Sequence, residues 1–130
     1  MADYTVRNLK EDVDDAAQRF GVEGLEARFA RGALELQESG LSYFRVGPGV
    51  RPPWGHTHSE QEEIYLLASG TARVKLDDEV IDLKAWDAIR IPPGVMRAFE
   101  GGDQGAEIIA FGAPNTENKD LEMVQGWWAD

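Results

Sequence analysis

Glycine and proline cut this chain into short pieces, and that punctuation constrains the fold more than any other feature of it. Turn formers recur at 38–40, 47–55, 69–70, 77–79, 84–87, 92–94 and 101–105. Between them lie short extended runs at 33–37, 41–46, 62–68, 72–76, 80–83, 88–91, 96–100 and 106–111. Short strands at such close spacing, with no helix-strand alternation, argue an all-β sandwich or barrel. In 72–77 Ala72, Val74 and Leu76 alternate with Arg73, Lys75 and Asp77, which gives one buried and one wet face. The run at 62–68 is almost wholly apolar after its acidic start, the pattern of a strand covered on both faces.

The first forty residues are less regular. Asp12 or Asp14 caps a short expected helix through Gln18 or Arg19 with Gly21 as its stop, and 25–30 adds another turn or two. The acidic cluster of Glu11, Asp12, Asp14 and Asp15 lacks the spaced ligands and turn glycine of a calcium loop, so it reads as a solvated helix start. At 130 residues the chain suits one domain. Its expected parts are an arm with short helices at 1–32, a barrel at 33–113, and a tail at 114–130 that packs on the barrel or on a partner through Trp127 and Trp128.

Composition excludes several functions. There is no cysteine, hence no thiolate zinc site, cysteine nucleophile or disulfide scaffold. The start, Met-Ala-Asp-Tyr-Thr-Val-Arg, has no apolar signal region, and no apolar run reaches spanning length, so the expectation is a cytoplasmic protein without membrane insertion. Thirteen basic against twenty-four acidic residues give a net charge of −11, which repels phosphate backbones and anionic lipid at long range. Nucleic acid is therefore not an expected partner.

Chemistry concentrates in 55–70, which holds the only two histidines. The preceding loop, rich in proline and glycine, delivers them into a strand, where alternate side chains share a face. His56 and His58 then present two imidazoles toward one point while Thr57 faces away. A carboxylate on a returning strand could complete one face of a coordination shell, with Glu60, Glu62 and Glu63 as the candidates.

These residues resemble the first motif of the cupins, in which His-x-His is followed after four residues by Glu and after six more by Gly. His56, His58, Glu63 and Gly70 fall at those spacings. The second cupin motif is present in part: Pro92 and Gly94 match, whereas Trp86 stands at its first glycine, Arg97 at its histidine ligand and Gly101 at its asparagine. The glycine usual before the first histidine is replaced by Val50. The resemblance covers 41–111 and is nearest the small single-domain conserved-barrel cupins, cupin type 2. It implies a double-stranded β-helix, the jelly-roll barrel, with a short helical N-terminal lead.

It also implies a mononuclear divalent metal, iron, manganese, zinc or nickel, on His56, His58 and Glu63, with Glu62 as a substitute if the strand carries a bulge. Two histidines and one carboxylate form the facial triad of non-haem iron sites. Arg97 would then act catalytically, clamping a carboxylate, enolate or phosphate of a small polar or anionic molecule, while Tyr65 and Phe99 line the substrate pocket by strand parity. A dioxygenase or isomerase is one outcome. The other is a metal-free, non-catalytic binding module in which Arg97 pairs with Glu63. The same resemblance implies a homodimer, since twofold pairing would cover exposed strand edges.

Overall fold

A computed structural model describes residues 1–129. The element order is a 3-10 turn (Ala16–Phe20), then β1 (Leu25–Phe29), β2 (Gly40–Val46), β3 (Trp54–His58), β4 (Glu62–Leu76), β5 (Glu79–Lys84), β6 (Ala88–Ile91), β7 (Arg97–Ala113) and β8 (Leu121–Gln125). All pairings are antiparallel. The order β1-β2-β7-β3-β8 forms one path, while β4 pairs with β5, β6 and β7. The fold is the all-β, curled-sheet barrel that the punctuation and the resemblance imply.

Two long strands make the sheet curl. The first half of β4 lies between β6 and the end of β7, and its second half lies between β5 and the start of β7. Register shifts at Leu67/Ser69 and Gly70/Ala72 separate the halves. Such bulges bend a strand and sharpen its twist. Gly70 has φ +78, and a Cβ there would lie 2.0 Å from the carbonyl oxygen of Gly105, so glycine is required at this crossing. Ser69-Gly70 and 101–105, expected as a turn and a loop, are therefore bends inside continuous strands.

Inward alternation builds the core. Tyr65, Leu67, Val74, Phe99, Ile108 and Ala110 are buried in one cluster, and each large apolar side chain contributes about 1.5–3 kcal/mol relative to exposure. The β4–β5 hairpin closes through Asp77-Asp78, with Leu76 opposite Glu79, as its sequence implies. The apolar run at 62–68 is covered on one face only, because Ile64 points outward and is 39% exposed.

The N-terminal lead differs from expectation. Its helical content is only the 3-10 turn, capped by Asp15, whose carboxylate accepts from Ala17 N at 2.9 Å and also from Ala27 N at 2.9 Å, with Gly21 in the left-handed region as the stop. Residues 25–30 were expected to be helical, yet 25–29 form β1. Leu-Glu-Ala-Arg-Phe has helix-favouring composition, but Leu25 and Ala27 alternate inward and pairing with β2 overrides propensity. Residues 33–37, expected as a strand, instead form turns closed by Leu34 N to Ala30 O at 2.9 Å and Leu36 N to Arg31 O at 3.0 Å. No helix among the described residues is long and apolar enough to cross a membrane.

Candidate metal centre

Strand β3 enters from the 47–53 loop and is held by β8 along Trp54–His58 and by β7 at one position, His56 opposite Arg97. Alternation then brings both imidazoles to one side, with ring centroids 5.3 Å apart and planes nearly perpendicular. Glu63, on β4, which does not pair with β3, completes a cluster in which one donor atom from each of His56, His58 and Glu63 lies within 4.8 Å of the others. Of the three carboxylates weighed, Glu60 is exposed and Glu62 faces outward toward Arg90 at 4.0 Å. Glu63 alone among them joins the histidines.

The protonation pattern follows from the partners. His58 Nδ1 lies 3.0 Å from Asp120 Oδ1. Burial would raise the Asp120 carboxyl, but hydrogen bonds from the Thr116 hydroxyl, His58 and the backbone N–H groups of Gln61 and Glu60 hold it well below the usual carboxylate range. An ionised carboxylate only accepts, so His58 Nδ1 carries the proton and Nε2 keeps its lone pair. Glu63 is likewise lowered: burial opposes ionisation, while the hydrogen bond and charge of His56, then the charge of Arg97, favour it. His56 Nε2 therefore donates to Glu63 Oε1 across 3.2 Å.

This donor set fits a divalent ion. Two imidazoles and a carboxylate suit borderline metals, and the proton shared by His56 and Glu63 is one that a cation would displace. Asp120 completes the carboxylate–histidine relay that orients ligating imidazoles in metal sites. Its position was not legible in the sequence, since it stands 62 residues from His58 in the tail.

A cavity of about 420 Å³ opens on the cluster. Tyr65 and Phe99 both line it, as do His56, His58 and Glu63. Burial, then the adjacent Glu63 charge, pushes the Tyr65 phenol well above its ordinary range, so it stays a neutral hydroxyl. Arg97 is placed differently. Its residue exposure is 0%, it is not on the cavity wall, and its Nε lies 3.7 Å from Glu63 Oε1. None of its guanidinium nitrogens has a hydrogen-bond acceptor among the described residues.

A family model described as a cupin domain matches residues 42–111, and the chain belongs to that family. It is 31% identical over 71 residues to an uncharacterised protein of Methanocaldococcus jannaschii, a match covering 54% of this chain and 57% of that relative, little more than half its length. Among solved structures, a cupin protein of Bacteroides fragilis superposes with TM-score 0.72 at 22% identity, covering 89% of this chain and 88% of that one. A Streptomyces nucleoside dehydratase, Pac13, superposes with TM-score 0.70 at 17% identity, covering 96% and 92%. Oxalate decarboxylase of Bacillus subtilis superposes with TM-score 0.72 at 22% identity, covering 93% of this chain but 32% of that one. At these identities the superpositions speak to fold.

Proposed function

We propose that this cupin binds a small polar or anionic molecule in its barrel at a mononuclear divalent metal held by His56, His58 and Glu63, in the manner of a dioxygenase or isomerase. The observation that carries the reading is the convergence of those three donors within 4.8 Å on the wall of the cavity. The metal would supply Lewis acidity and orient the bound molecule. Asp120 keeps the His58 proton on Nδ1, and the apolar wall around Tyr65 and Phe99 excludes water. Arg97 enters as a positioning residue, since it touches Glu63 and not the cavity: after the His56 hydrogen bond, its charge helps to keep the carboxylate ionised and ready to ligate. Ile64 and Phe111, paired on the outer sheet face and 39% and 43% exposed, are the surface we assign to a twofold homodimer, which sedimentation of Ile64→Glu against wild type would test.

The second reading, a metal-free binding module, is favoured by the Arg97–Glu63 ion pair. Calorimetric titration of zinc or manganese decides. Stoichiometric binding by wild type, lost in His56→Ala and not improved in Arg97→His, supports the metal centre. No binding by wild type and strong binding by Arg97→His would sink it and leave the module. Binding by neither would remove the ligand assignment altogether.

A further inference from the structure

Arginines in this acidic chain are mostly neutralised. Arg28 and Arg45 meet Glu26, Arg51 and Arg73 meet Glu100, Arg90 meets Glu62, and Arg97 meets Glu63. Arg7, Arg19 and Arg31 pair with no carboxylate among the described residues, and of these three Arg31 alone lines the cavity. It is half-buried and shares that wall with the histidines. Its one hydrogen-bond partner among the described residues is neutral: Nη1 donates to Asn115 Oδ1 at 3.1 Å. Asn115 is itself fixed, because its Nδ2 donates to Leu36 O at 3.4 Å and Gln37 O at 3.3 Å while Oδ1 also accepts from Glu117 N. The carboxamide thus anchors one guanidinium nitrogen and leaves the other donors of the fork unclaimed.

We infer that Arg31 is the anion-recognition point of the barrel, and that the cavity takes a monocarboxylate with an apolar, unsaturated body. This rests on the proposed function only in treating the barrel interior as the ligand site. Phe29, Phe44, Phe99 and Trp54 share the wall with Arg31 and offer ring faces and edges to a planar body. One guanidinium balances one negative charge. A phosphate dianion would keep an uncompensated charge in a chain already at −11, so the carboxylate is the better match. Within this cavity the anionic end is assigned to Arg31 and the other end of the ligand faces the histidine cluster.

Cinnamate, its neutral amide and phenyl phosphate are the probes, titrated into chelator-treated wild type and Arg31→Gln, with circular dichroism verifying that the variant folds. The expected result is that cinnamate binds wild type at least tenfold more tightly than the amide. Arg31→Gln should erase that preference, and removal of metal should leave it in place. Equal affinity for acid and amide, no cinnamate binding, or an Arg31→Gln variant that binds cinnamate as wild type does would each overturn the inference. Tighter binding of phenyl phosphate would overturn the monoanion assignment. A preference present only in metal-loaded protein would show that the metal holds the carboxylate, which defeats the role of Arg31 while supporting the metal centre. An Arg31-dependent preference in a protein that binds no zinc or manganese would do the reverse.

Discussion

Trp86 occupies a backbone position built for glycine. Its φ is +76 and its side chain is exposed, with 74% of the residue open to solvent, so it bears left-handed strain with little burial in return. Trp86→Gly should raise stability by about 1 kcal/mol, read as a higher denaturant midpoint at unchanged slope. A lower midpoint would mean that the indole makes a contact that matters. Asp120 lies at the opposite extreme, its side chain 2% exposed and fully committed to four donors. Asp120→Ala should weaken zinc affinity about 10- to 100-fold. Asp120→Asn keeps one acceptor oxygen for His58 Nδ1 but turns its amide N–H groups toward the Glu60 and Gln61 N–H donors, so it should recover only part of it. Nitrogen-15 shifts of His58 should report the tautomer change without any metal. The shared face of His56 and His58 was legible because a strand aligns alternate residues, whereas Glu63 was singled out from Glu60 and Glu62 by the family motif. Asp120 and Arg31 were not legible, because no local period links them to that strand.

Elements reveal where local reading runs out. The strands from β2 to β7 were legible because alternation and turn residues agree with the tertiary pairing, whereas β1 was hidden by helix-favouring residues and β8 by a tail without strong β-formers. Glycines 70 and 105 were read as chain reversals, since a bulge and a turn ask for the same residue. Their role gives a sharp expectation. Gly70→Ala would press a Cβ onto the Gly105 carbonyl, backbone against backbone, and should cost about 3 kcal/mol or more, measured by urea unfolding. A second element-level device ties the N-terminal arm to the sheet: Glu107 on β7 accepts from Tyr43 at 2.5 Å, from Ser69 at 2.7 Å and from Lys10 at 3.2 Å. Those bonds, Tyr43 first, lower its carboxyl to about 2 from 4.5. The ionised form therefore stabilises the fold above pH 4.5, and that contribution is lost as pH falls toward 2. Tyr43→Phe should cost about 1 kcal/mol at neutral pH and flatten the acid limb of a stability–pH curve. An unchanged limb would locate acid sensitivity elsewhere.

Across the whole molecule, the strand that carries the histidines is lightly attached to the body. β3 meets β7 at the single pair His56–Arg97 but runs beside β8 through five, and a Cβ at Gly55 would strike the Trp127 ring, so that indole lies flush on the strand. Lys75 and Arg51 sit over the Trp127 and Trp128 rings and pin the tail to the neighbouring surface. The β3–β8 pair is thus positioned to open as one cooperative unit, at less free energy than global unfolding requires. Glu63 belongs to the body and the histidines to the opening unit, so an ion bridging them would act as a clasp across that seam. Backbone amides of Leu121–Gln125, though remote in sequence from the ligands, should then exchange with deuterium more slowly when zinc is added. In His56→Ala they should show no such protection, which makes the tail a reporter of site occupancy that needs neither substrate nor turnover.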